Sequence, residues 1–272
     1  MEERFARLPR SLAERTTHAV LGDGVPALVA QPEGDGPTPF VLWMHGRTAS
    51  KELDPGRYLR WIRAGIAAVA VDLPGHGERA VPGGDSPENG PAVIAQMAGE
   101  IDGVLESLGD LFPRLDHTRA GIGGMSAGGM ATFRRLCDPH RFLCAAVEGT
   151  TGDLQTLYFP PAGHGRSWPV SHDRASVDRV DAASRLDGFR PIPLLALHNE
   201  GDELVPLEVQ RAFLGRLGEH YRARGADPGL IRLKTFRDTG APQEHAGFGR
   251  YASDAKNLQV EFLSSVLLAG AR

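Results

Sequence analysis

The stretch GIGGMSAGGMATF, residues 121–133, sets one serine among glycines and alanines and then turns helical. Glycine loses more conformational freedom on folding than any other residue, so a crowd of glycines requires a geometric reason. That reason is a backbone path, or a close approach, that side chains would forbid. Within the stretch, Gly124-Met125-Ser126-Ala127-Gly128 fits G-x-S-x-G, and Gly129 follows. An apolar, strand-like run precedes it and a helix-like run through Arg135 comes after, which is the context this pattern requires. A serine at such an elbow adopts a strained backbone, and the residues two positions to either side crowd together unless they lack side chains. The turn presents the hydroxyl at the carboxyl edge of a sheet, where free N–H groups of the helix N-terminus face it.

The same alternation extends outward from the elbow. PFVLWMH (39–45) is a short, continuous apolar run suited to a buried strand. In DPGRYLRWIRAG (54–65), Asp54 is placed to cap a helix, Pro55 suits its first turn, Leu59 and Ile62 face inward and Gly65 ends it. IAAVAVDLP (66–74) is a second buried strand. Val93, Met97, Ile101, Val104 and Leu108 recur at three- and four-residue spacing, which predicts a helix over 91–109. Strands follow at 142–149, 193–199 and 231–238. A helix carries Val209, Phe213, Leu217 and Tyr221, and a closing helix carries Leu258, Phe262 and Val266. HAVLGDGVPALVAQPEG (18–34) reads as a leading antiparallel hairpin. The pattern predicts a doubly wound α/β fold: a mostly parallel sheet with helices on both faces.

The 272 residues are expected to form one domain. Residues 150–190 break the rhythm with Pro, Gly and aromatics but little periodicity, and are expected to be a lid or cap-like insertion. Tyr158, Phe159, Pro160, Pro161 and Trp168 there either wall a small apolar pocket or pack as an ordinary loop. Composition is that of a globular chain, 41% hydrophobic and 24% charged, with a net charge of −4 and scattered basic residues. That distribution is no footprint for nucleic acid or an anionic membrane. No apolar run approaches the roughly 20 residues of a membrane helix. The opening MEERFARLPRSLAER is charged throughout and lacks the apolar core of a signal peptide, so a cytoplasmic location is expected. Cys137 and Cys144 are expected to be buried free thiols, with no elbow to make either a nucleophile. Without H-E-x-x-H or clustered Cys/His spacing, neither a metal nor a cofactor is expected.

A serine hydroxyl is a poor nucleophile unless a base takes its proton, so an acid and a histidine should follow in chain order. LALHNEGDELVP (195–206) places Asp202 just past a strand, and DTGAPQEHAGF (238–248) places His245 in the last loop. Asp202 competes with Glu203 and Asp238 for the acid, or merely caps the next helix. Among other histidines, His198 lies within a strand end, His220 on a helix, and His164 and His172 precede the acid. An oxyanion hole needs two backbone donors. The N–H of Ala127 is one candidate. The other is the N–H of Arg47, where Gly46 lets the loop after the 39–45 strand turn inward. The Arg47 side chain is either solvated or attracts a substrate carboxylate.

MHGRTASKE, VDLPGHGER, GMSAGG, HNEGDELVP and EHAGF, in this order and spacing, resemble the α/β-hydrolase superfamily, and more narrowly its dienelactone-hydrolase-like and prolyl-oligopeptidase-like serine esterases. The resemblance runs from about Val41 onward. It implies a Ser126–His245–Asp202 triad, an oxyanion hole from Arg47 and Ala127, and hydrolysis of small-molecule esters. Thioesterase or short-peptide peptidase activity are alternatives, as is a non-catalytic binding protein on the same fold. Arg47 departs from the aromatic or aliphatic residue common at its position. Asn199 departs from a glycine, a change expected to be harmless. In DLPGHGER (72–79), His76 either borders the pocket or belongs to a turn in which Asp72 and Arg79 bond locally. Oligomeric state is not legible.

Overall fold

The computed structural model describes residues 8–161 and 170–269. A one-turn helix α1 (Arg10–Ala13) leads into β1 (Thr16–Leu21) and β2 (Val25–Ala30), the expected antiparallel hairpin. Strands and helices then alternate through β3 (Thr38–Met44), α2 (Pro55–Arg63), β4 (Ala67–Val71), α3 (Gly90–Leu111), β5 (Leu115–Met125), α4 (Ala127–Leu136) and β6 (Cys144–Glu148). Two short helices, α5 (Leu154–Tyr158) and α6 (Arg174–Val180), come before β7 (Leu194–Asn199). The chain continues with α7 (Leu207–Ala223), β8 (Ile231–Phe236) and α8 (Ala252–Leu267).

The eight strands form one sheet in the order β1-β2-β4-β3-β5-β6-β7-β8. β2 is antiparallel to both its neighbours, and the pairings from β4 through β8 are all parallel. Strands covered on both faces sort their side chains with a period of two. Phe40, Leu42 and Met44 of β3 enter one core with Met97 of α3, Phe133 of α4 and Phe213 of α7. Val41 and Trp43 enter the other with Trp61 of α2 and Leu263 of α8. From β3 the chain crosses to β4 on one side, then from β4 to β5 on the other side of β3. The loops leaving β3 and β5 therefore diverge, opening a crevice at the carboxyl ends of these two strands, where open α/β sheets bind ligands.

The expected stripes of α3 and α7 are buried in full. Those of α2 and α8 shift for a shared reason. Asp54 stands at the N-cap of α2 without a side-chain cap bond; its carboxylate instead meets Arg57 Nη2 at 3.1 Å and Lys256 Nζ at 3.0 Å. Arg57 is buried with Tyr58, Trp61 and Ile62, while Leu59 is half-buried. Arg57 binds Glu148 of β6 with both terminal nitrogens, at 2.6 and 2.8 Å, and Gln259 of α8 at 2.6 Å. The buried face of α8 is thus Ala255, Gln259, Phe262, Leu263 and Leu267, with Leu258 and Val266 at its margin. A stripe organised around buried polar groups is invisible to apolar periodicity.

Residues 150–190 hold α5 and α6 in their described part. Asp153 caps α5 through Thr156 N and Asp173 caps α6 through Ser176 N, each at 2.9 Å. Leu154, Leu157, Val177 and Val180 join the α3–α4 core. Helices this short leave no 3.6-residue pattern to read. His164 and Trp168 lie outside the described residues. Cys137 and Cys144 are buried free thiols, and burial pushes each up to about 12.

Candidate active site

Ser126 joins β5 to α4 with φ 49° and ψ −117°, a conformation that L side chains rarely adopt. Its N–H donates to Glu148 O at 2.9 Å, and its carbonyl accepts from Met130 N at 2.9 Å and Thr150 Oγ1 at 2.8 Å. The first turn of α4 and the end of β6 with the residues after it therefore fix the turn. The glycines are required by close approach. A Cβ on Gly124 would lie 2.5 Å from the carbonyl carbon of Gly128, and one on Gly128 only 2.3 Å from Met44 O. Residues two positions to either side of the serine do crowd together.

The acid and the histidine arrive from the neighbouring strand ends. Asp202 follows β7, and its Oδ1 accepts from Leu204 N at 2.9 Å and Val205 N at 2.8 Å, which turns the carboxylate toward the last loop. His245, after β8, lies with Nδ1 2.8 Å from Asp202 Oδ2 and Nε2 2.9 Å from Ser126 Oγ. A carboxylate only accepts, so Nδ1–H donates to it, and Nε2 is left to accept from the serine hydroxyl. Asp202 and His245 are both buried. Glu203 and Asp238 are exposed, and neither takes the Asp202 place beside His245. Burial holds His198 below the ordinary imidazole value; its Nε2–H donates to Val205 O at 2.8 Å, 3.6 Å from Asp202 Oδ2.

The serine opens onto a cavity of about 510 Å³ at the crevice between β3 and β5. One wall comes from the α3–α4 side, with Ile94, Met130 and Tyr158; the opposite wall, from the α2–α8 side, carries Trp43, Leu53 and Phe248. Arg47 and Ala127 line the same cavity, and a Cβ on Gly46 would touch Ser126 Cβ at 3.4 Å. Ala127 is the first residue of α4, so its N–H belongs to the turn that has no intrahelical acceptor.

No family model matches the chain. The Thermus thermophilus protein TT1662 superposes with a TM-score of 0.71 at 23% identity, covering 93% of this chain and 98% of that one. The Pyrococcus horikoshii acylaminoacyl peptidase gives 0.68 at 19% identity, over 92% of this chain and 41% of the peptidase. The chain has the α/β-hydrolase fold. A curated relative, the 2,6-dihydropseudooxynicotine hydrolase of Paenarthrobacter nicotinovorans, is 26% identical and is matched over 76% of this chain. The chain spans 59% of that relative's length.

On the hydrolase fold, the loop after β3 is held from beneath by a polar cluster that sequence reasoning passed over. Lys51, 1% exposed, places Nζ 2.8 Å from Asp72 Oδ2 and 2.6 Å from Glu78 Oε1, while its N–H reaches Asp72 Oδ1 at 2.8 Å. Burial alone would lower the ammonium, but hydrogen bonds to Asp72, Glu78 and Glu52 outweigh it and raise its pKa. His45 is driven down to about 4 by burial, so it is neutral. It donates from Nδ1 to Gly46 O at 2.7 Å and accepts Leu73 N–H at Nε2 at 3.1 Å, shaping the backbone beside Ser126. Asp72 is thus a hub for this loop, and Arg79 pairs chiefly with Glu100 of α3, at 2.7 and 2.8 Å. His76 is buried with Nδ1 donating to Pro74 O at 2.8 Å, which is the turn role. Lys51 lies within MHGRTASKE, but nothing in that motif assigns it a partner; its burial does.

The side chain of Arg47 is half-buried, donating to Asp85 O at 3.2 Å. Tyr158 lines the cavity wall, and Phe159 packs against the α3–α4 core. Asn199, where a glycine is common, is accommodated with hydrogen bonds of its own. Its Nδ2 donates to Glu244 O at 2.6 Å and to Gly247 O at 2.8 Å, on either side of His245. The grouping of possible metal-binding side chains among the described residues is His18, Glu52 and Glu78, where Lys51 Nζ already pairs with both carboxylates. No helix among the described residues is long and apolar enough to cross a membrane.

Proposed function

We propose that the chain is a serine hydrolase that cleaves carboxylic esters of small substrates through an acyl-enzyme intermediate. The observation that carries this reading is the unbroken line Ser126 Oγ–His245 Nε2, His245 Nδ1–Asp202 at 2.9 and 2.8 Å, set on a strained elbow beside a cavity. As Ser126 Oγ attacks the ester carbonyl, its proton passes to His245 Nε2. Asp202 holds the imidazole in the Nδ1–H tautomer and stabilises the imidazolium. The tetrahedral oxygen takes hydrogen bonds from the N–H groups of Ala127 and Arg47, each worth about 10²–10³ in turnover in comparable sites. The alcohol leaves with the proton from His245. Water then repeats the steps and frees Ser126.

In the same reading the chain is one hydrolase domain, and the described part of residues 150–190 forms its cover, contributing Tyr158 to the cavity wall. The similarity to an acylaminoacyl peptidase supports short-peptide cleavage as a second reading. An ester, thioester and peptide panel ranks the substrates. A fluorophosphonate probe is expected to label the protein and to fail on Ser126→Ala. Labelling that persists at another residue in that variant would refute the nucleophile, and a protein inert toward every acyl length would favour a binding role.

A further inference from the structure

Asn199 closes β7 three residues before Asp202 and is 3% exposed. Both hydrogens of its amide are engaged, by the carbonyls of Glu244 and Gly247, while Oδ1 has no hydrogen-bond partner among the described residues. Rotating the amide would set its oxygen against two carbonyl oxygens, so the orientation is forced. The loop it grips is strained. Gln243 and Glu244, neither of them glycine, have φ values of 54° and 46° immediately before His245. Such conformations persist only where the surroundings over-determine them. Two other anchors act upstream of the histidine. The Glu244 carboxylate accepts from Thr239 N, Thr239 Oγ1 and Gly240 N at 2.6–2.9 Å, and Gln243 O accepts from Glu203 N at 3.1 Å. Asn199 holds the loop on both sides of His245, and it does so from the strand that also delivers the acid.

We infer that Asn199 is a positioning residue: it ties the loop of the base to the strand of the acid, and so sets His245 at its distances from Ser126 and Asp202. The inference rests on the proposed role of His245 as general base. An imidazole displaced by about 1 Å costs on the order of 10²-fold in rate without a matching loss of substrate binding.

The test uses Asn199→Ala, Asn199→Leu and the isosteric Asn199→Asp, assayed with p-nitrophenyl acetate beside Ser126→Ala and His245→Ala. Each Asn199 variant is expected to lower kcat about 10- to 100-fold with KM within about two-fold. The downfield proton resonance of the His245 Nδ1–H should shift or broaden in the same variants. Asn199→Asp, which turns an acceptor toward both carbonyls, should be at least as impaired as Asn199→Ala. Wild-type kcat in Asn199→Leu, or a loss confined to KM, overturns the positioning role. So does loss of cooperative unfolding in all three variants, which would assign Asn199 to stability alone. Undiminished activity in Ser126→Ala or His245→Ala would instead remove the proposed roles of Ser126 and His245, and the inference with them.

Discussion

The two loops that meet at the candidate site each place non-glycine residues at positive φ, and they do so by different means. At the elbow, Ser126 at φ 49° is flanked by glycines, and the close packing is backbone on backbone, Gly128 against Met44 O and Gly124 against Gly128. At the histidine loop, Gln243 and Glu244 at φ 54° and 46° have full side chains, and side-chain hydrogen bonds hold them, from Asn199 of β7 and from Glu244 itself folding back on residues 239 and 240. The absence of side chains builds the first, and side-chain hydrogen bonding builds the second. The elbow should therefore fail through sterics, abruptly, and the histidine loop through loosening, by degrees.

The largest expected effect is at the elbow. Gly128→Ala puts a Cβ into Met44 O and the carbonyl of His45, atoms with no freedom to move. It is expected to cost about 3 kcal/mol or more of stability and to abolish turnover. Denaturant unfolding and the ester assay measure both, and a Gly128→Ala protein of native stability would break the contrast. A smaller effect is expected from Thr150→Val, which keeps shape but removes the hydroxyl that donates to Ser126 O. A loss of about 1 kcal/mol and a few-fold drop in kcat are expected. A drop as large as that of Gly128→Ala would mean that side chains govern the elbow too.

The smallest effect is in the histidine loop, and it depends on pH. The hydroxyl of Thr239, with the N–H groups of Thr239 and Gly240, outweighs burial and holds the Glu244 carboxyl below the ordinary glutamate range. A depressed acid contributes stability that is fully present above its unfolded pKa and disappears as pH falls through the folded one. The Tm advantage of wild type over Glu244→Gln is therefore expected to be constant near neutrality, to narrow below about pH 4.3, and to vanish in stronger acid. An advantage that does not vary with pH would show that the carboxylate charge does not anchor this loop.

Much of the fold was legible because its signals are local. Continuous apolar runs at 39–45 and 66–74 become central strands buried on both faces, and the α3 stripe from Val93 to Leu108 is buried as its spacing requires. Where a helix buries polar groups the same reasoning slipped. Leu258 and Val266 were expected inside α8, yet Gln259 faces inward because Arg57 and Glu148 await it there. In the candidate site, Ser126, Asp202 and His245 were findable from their chain order past the ends of β5, β7 and β8. Lys51, Thr150, Asn199 and Glu244 were not, since each acts on a residue that the sequence does not mark as its partner.

By itself the sequence determined the alternation of strand and helix, the elbow that only small residues can form, and which three side chains stand past strand ends in the order Ser, Asp, His. The alternation depends on backbone propensity over a few residues, and the glycines at 124 and 128 are visible in the sequence even though part of the backbone that requires them, Met44 O, comes from β3. Tertiary structure alone decided that the loops after β3 and β5 part to open a cavity, that Asp202 rather than Glu203 or Asp238 meets His245, and that Asn199 spans the histidine. Those outcomes depend on angstrom-scale distances between segments 24 to 119 residues apart, such as Ser126 with Thr150 and Ser126 with His245. Distances of that kind exist only once the sheet has fixed where each strand ends.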